Sequence, residues 1–128
     1  NFNNEKNNGE TVLQLIRKNL VLSAHDVSSG GLLVSLSEMS IGSNLGAKIY
    51  KPKKLTNKFE YFFGEDQGRY VMEVDQKNVD NVTKILENNN IFYENIGLTQ
   101  KNYFEIENEI KITVKDLWET NNKWYNNY

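Results

Sequence analysis

The stretch "VLSAHDVSSGGLLVSLSEM" joins a short apolar run to a helical one through Ser-Ser-Gly-Gly, and this punctuation restricts the chain to folds with a tight strand-to-helix turn. Residues 21–27 read as a strand, and Ser28 or Ser29 is expected to cap the helix that follows. That helix places Leu32, Leu36 and Met39 on one face. It is expected to stop near Gly42, where a missing Cβ permits the left-handed conformation common past a helix end.

The rest of the chain alternates in the same way. Leu13, Ile16 and Leu20 recur on one helix face, and Asn7 with Glu10 has capping-box spacing, so a first helix is expected to start near Gly9. A second strand is expected over residues 47–50, then a loop with the only proline, Pro52, and a short aromatic helix over residues 59–63. "GEDQGRYVMEV" turns between Gly64 and Gly68 into a strand with Tyr70, Met72 and Val74 on one side and Val71 on the other. Val79, Val82, Ile85 and Leu86 form the stripe of a further helix, ended by asparagines 88–90. From residue 91 to 114 the pattern predicts an antiparallel meander with a hairpin turn at Asn108 and Glu109. Thr113 and Asp116 then open a last helix carrying Leu117, Trp118 and Trp124. The expected fold class is α+β, with one mixed β-sheet flanked by helices.

Length and charge limit the functions available. A chain of 128 residues suits one domain, so residues 1–128 are expected to form a single domain. It opens on Asn1 rather than Met, as expected of a processed product or a piece of a longer protein. A net charge of -2 provides no basic footprint for nucleic acid and no pull toward an anionic membrane. Neither is an expected partner. With no cysteine there are no disulfides or thiolate metal sites, and with no signal peptide or long apolar span the expected location is cytoplasmic. The mean hydropathy of -0.65 reflects a surplus of asparagine and lysine around well-patterned apolar residues.

Two segments concentrate chemistry. The turn Ser28, Ser29, Gly30, Gly31 presents backbone N–H groups at a helix start, which suits an anion, and it equally suits bare turn geometry. It matches neither a P-loop nor a Gly-x-Gly-x-x-Gly fingerprint. Asp26 is placed to cap backbone N–H groups or to hold a metal. His25 and Asp26, adjacent in a strand, point to opposite faces and are not expected to act as a dyad. His25 is read as a packing residue, with no catalytic residue assigned. In "GEDQGR", Glu65, Asp66 and Gln67 offer carboxylates and an amide for magnesium or a polyhydroxy ligand, or form a solvated turn ion-paired to Arg69. Phe59, Tyr61, Phe62 and Phe63 lack an interleaved basic patch and are read as core, or in part as a docking face.

"SAHDVSSGGLLVSLSEM" and "FFGEDQGRYVMEV", in that order, resemble the two landmarks of the C-terminal domain of the phosphoribosylformylglycinamidine synthase family, in its synthetase subunit. "NGETVLQLIRKNLV", "FYENIGLT" and "TVKDLWETNNKW" resemble its lead-in helix, the segment before the final hairpin, and the terminal helix. The resemblance implies a fold of the AIR synthase C-terminal type, partly ferredoxin-like, at the end of a longer multi-domain synthetase. It implies an ATP-dependent amidoligase of purine biosynthesis, using magnesium and glutamine-derived ammonia, with a glutaminase subunit and a small bridging subunit as partners beside the other domains of the same chain. By analogy with the duplicated half of such enzymes, Asp26 corresponds to a magnesium ligand and Glu65, Asp66 and Gln67 to substrate contacts. Ser29 stands where the family usually has Asp, which removes a carboxylate from the turn. The isolated domain is expected to be inactive and to bind no cofactor tightly. The alternatives are the same domain type in another ATP-using AIR synthase relative, or a free-standing ferredoxin-like regulatory module.

Overall fold

The computed structural model describes residues 2–50, 52 and 57–123. The chain divides into two units, Asn1–Ser35 with Phe63–Glu94, and Leu36–Phe62 with Asn95–Tyr128.

The first unit is built on helix α1 (Phe2–Arg17), strand β1 (Ser23–Asp26), the start of helix α2 (Gly31–Ser43), strand β3 (Tyr70–Glu73) and helix α4 (Val79–Asn88). β1 and β3 pair antiparallel, with Asp26 opposite Tyr70 and His25 opposite Val71. Leu15, Val82 and Leu86 form the buried cluster, with Leu20, Val21, Met72, Val74, Ile85 and Ile91 packed on it. Two expectations for α1 need correction. The helix begins by Phe2, seven residues before Gly9, and Asn7 lies inside it, its side-chain amide donating to the Asn89 carbonyl oxygen at 2.9 Å. The buried face is Thr11 and Leu15, whereas Leu13 and Ile16 are largely exposed. The i, i+4 pair is decided by what α1 packs against, and an apolar stripe alone does not report that.

Before α4, a 3-10 turn (Gln76–Asn78) is capped by Asp75, whose carboxylate accepts the Lys77 backbone N–H at 3.1 Å. That bond, with the Lys77 ammonium 3.1 Å away, holds the Asp75 carboxyl below its ordinary range. α4 ends as the asparagine run indicated, with Asn90 in the left-handed region at φ 54°.

The second unit holds the rest of α2, strand β2 (Gly46–Ile49), helix α3 (Lys58–Phe63, its last residue assigned to the first unit), strands β4 (Gly97–Gln100), β5 (Tyr103–Ile106) and β6 (Ile110–Thr113), and helix α5 (Val114–Lys123). The sheet order is β4-β2-β5-β6, with β2 parallel to β5 and the other pairs antiparallel. The sheet is mixed, and the α+β class stands. The single sheet and the meander do not: the strands divide into a two-stranded and a four-stranded sheet, and β2 inserts between β4 and β5. Residues 91–96 form no strand. Only the β5–β6 hairpin survives from the meander, with Asn108 at φ 61° in its turn. Ala47, Ile49, Phe104, Ile106 and Val114 are buried.

α2 runs through Gly42 to Ser43, and the left-handed residue after it is Asn44 at φ 53°, not the glycine. Leu32 and Leu36 are buried as expected. α5 opens on the capping box: the Asp116 backbone N–H donates to Thr113 Oγ1 at 3.0 Å, and the Thr113 hydroxyl donates to the Asp116 carboxylate at 2.6 Å. Trp118 is half exposed, and Trp124 lies outside the described residues. In the aromatic helix Phe62 is buried, with Tyr61 edge-on to it at 5.1 Å, while Phe59 and Phe63 are exposed. Reading all four rings as core is therefore too broad. No helix among the described residues is long and apolar enough to cross a membrane.

Candidate functional site

The β1–α2 turn and the 64–69 loop meet because they leave the same end of one strand pair. β1 ends at Asp26 opposite the first residue of β3, and a further bond runs from the Val27 N–H to the Arg69 carbonyl oxygen at 2.9 Å. Beyond that rung the backbones separate around a shallow cleft of about 340 Å³. Asp26, Val27, Ser28 and Ser29 line one side, Glu65, Gln67, Gly68, Arg69 and Tyr70 the other, with Glu5 of α1.

The turn is set by backbone geometry. Gly30 and Gly31 have φ values of 82° and 71°, where a side chain is strained, and a Cβ on Gly30 would lie 2.4 Å from Val34 Cγ2. Gly31 N–H donates to the Ser28 carbonyl oxygen at 3.0 Å. Just before α2, the Gly30 N–H donates to Glu65 Oε1 of the facing loop at 2.7 Å. The Asp26 backbone is fixed as well. Its carbonyl oxygen accepts the hydroxyl of Ser35, a buried residue of α2, at 3.0 Å. His25 Nδ1 lies 2.6 Å from the same oxygen. The Asp26 carboxylate itself is left exposed in the cleft.

The alternation of β1 holds, with His25 partly buried and Asp26 exposed. Adjacency nonetheless brings His25 Nδ1 within 3.7 Å of Asp26 Oδ1, closer than opposite faces imply. The ring's short bond goes to the main chain, a structural arrangement. Asp66 does not line the cleft; it points to Arg69, 3.6 Å away, as the solvated-turn reading supposed. Glu5 went unrecognised in the sequence because it belongs to the part of α1 read as lying before the helix.

Among the described residues no three His, Cys, Asp or Glu side chains converge as a metal cage. The cleft is lined by the exposed carboxylates of Glu5, Asp26 and Glu65 and by the Gln67 amide, oxygen donors of the kind that hard cations take.

The first unit has two antiparallel strands that feed a glycine turn into a helix, with a polar cleft at the strand ends, and the second has a four-stranded mixed sheet; both fit the α+β class. The chain belongs to the family described as "AIR synthase related protein, C-terminal domain", whose model matches residues 3–106. It is 44% identical over its whole length to phosphoribosylformylglycinamidine synthase subunit PurL of Pelagibacter ubique, and 36% identical over 97% of its length to the subunit of the same name from Rhodopseudomonas palustris strain HaA2. It spans 18% and 17% of those relatives. Among solved structures, Thermotoga maritima PurL complexed with FGAR superposes on 89% of this chain and 21% of that one, with a TM-score of 0.75 at 22% identity. PurLQS from the same organism matches with the same TM-score at 21% identity, which supports the fold.

Proposed function

We propose that this chain is the C-terminal domain of the synthetase subunit of phosphoribosylformylglycinamidine synthase, a longer multi-domain enzyme of cytoplasmic purine synthesis. The observation that carries the proposal is the 44% identity to the Pelagibacter subunit across all 128 residues, without restriction to one motif. In the reaction, ATP phosphorylates the amide oxygen of formylglycinamide ribonucleotide. Ammonia released from glutamine then attacks the activated carbon, and phosphate leaves to give the amidine. The Thermotoga structures include complexes with FGAR, ATP and ADP, which supports this substrate and nucleotide. The PurLQS assembly supports partner subunits, which we assign as a glutaminase and a small bridging protein.

The domain contributes position and charge to this reaction. The Asp26 carboxylate, its backbone held by Ser35 and His25, would take a magnesium ion arriving with nucleotide, and that ion supplies neutralisation of phosphate charge. Gln67, with an amide that both donates and accepts, faces the same cleft and suits a ribose or amide group. No nucleophile or general base is required of this domain, and none is assigned.

The expected behaviour of the isolated chain is no FGAR-dependent ATP turnover, since these residues form one side of a site whose remainder lies in other domains. Added to a relative's synthetase truncated before this domain, the chain should restore ammonia-dependent amidine formation, measured by product mass. Turnover by the chain alone would overturn the proposal. So would a folded chain that binds the truncated enzyme and restores nothing.

A further inference from the structure

We infer that Glu65 is a positioning residue that sets the width of the cleft, and that it does not contact the ligand. The inference rests on reading the cleft as a ligand site. Two hydrogen bonds close a ring across the cleft: Val27 N–H to the Arg69 carbonyl oxygen at 2.9 Å, and Gly30 N–H to Glu65 Oε1 at 2.7 Å. Residues 27–30 form one arc and residues 65–69 the other. The first bond extends the β1–β3 ladder and follows from strand pairing. The second is made by a side chain reaching a backbone 35 residues away in sequence, at a glycine whose φ of 82° fixes where its N–H points. With that oxygen committed to Gly30, the loop presents Gln67 to the cleft, and Asp66 is turned to Arg69. The separation of Asp26 on one arc from Gln67 on the other is therefore governed by Glu65.

Reach and charge can be separated at this position. Glu65→Gln keeps the length and an accepting oxygen while losing the charge, and Glu65→Asp keeps the charge while shortening the reach by about 1.5 Å. Amide hydrogen exchange at Gly30, followed by NMR in the whole 128-residue chain, should stay at the wild-type rate in Glu65→Gln and quicken about tenfold in Glu65→Asp. In a synthetase carrying this domain, KM for FGAR or ATP should follow the same order, with Glu65→Asp impaired and Glu65→Gln restored. Gly30 protection lost in Glu65→Gln or retained in Glu65→Asp would overturn the assignment. A synthetase impaired by Glu65→Gln and tolerant of Glu65→Asp would also overturn it, making the carboxylate a ligand contact. If Gly30 follows reach but the synthetase ignores both variants, the bond stands and the reading of the cleft as a ligand site falls.

Discussion

Replacing Gly46 with alanine should cost the second unit about 3 kcal/mol, the upper end of the range for overpacked positions. A Cβ at Gly46 would lie 1.8 Å from the Tyr103 carbonyl oxygen and 2.4 Å from its carbon. These are backbone atoms at the start of β5 and cannot swing aside as a side chain does. β2 is the strand that joins β4 to β5, so forcing it away loosens the parallel register that sets Ala47 beside Phe104 and Ile49 beside Ile106. Gly42→Ala is the matched control. That glycine lies inside α2 with nothing within 4 Å of a Cβ, so alanine there should stabilise by about 0.5–1 kcal/mol. Urea denaturation of both variants checks the pair; similar behaviour in the two would contradict the close approach at Gly46.

A comparable loss, about 3 kcal/mol, is expected for Leu15→Ala in the first unit. Leu15 has no exposed surface and packs with Val82 and Leu86, so its truncation removes apolar burial and leaves a cavity between α1 and α4. Leu13→Ala, two residues away on the exposed side, should change stability by less than about 0.5 kcal/mol. The comparison tests which face of α1 is the core. Equal losses from the two substitutions would restore the face that the Leu13, Ile16, Leu20 spacing suggests.

These residues show why some of the structure was legible in the sequence and some was not. The Thr113–Asp116 capping box and the left-handed asparagines 90 and 108 were readable because the groups that decide them lie within a few residues. The strand pairing of β2 was not, since whether β4 pairs with β5 or with β2 depends on segments about fifty residues apart, and all the candidate strands carry the same alternation. α1 was misread for a related reason. Its first two turns carry one apolar residue, Phe2, so hydrophobic spacing marks only its later part, while Asn8 is held at the Gly68 carbonyl oxygen by tertiary contact. In the cleft, the two landmark segments identified Asp26, Glu65 and Gln67 as candidates. Their division of labour was hidden, because the bond from Gly30 to Glu65 joins two motifs that sequence reading treats separately.

The central claim is that this chain serves as the last domain of a phosphoribosylformylglycinamidine synthetase. The most direct measurement is growth without purines of a bacterium whose own synthetase carries this 128-residue sequence in place of its last domain. The account predicts growth, together with amidine formation by the purified hybrid that requires ATP and a nitrogen donor. A hybrid that is soluble, folded and assembled with its partner subunits, yet neither supports growth nor forms amidine, would contradict it.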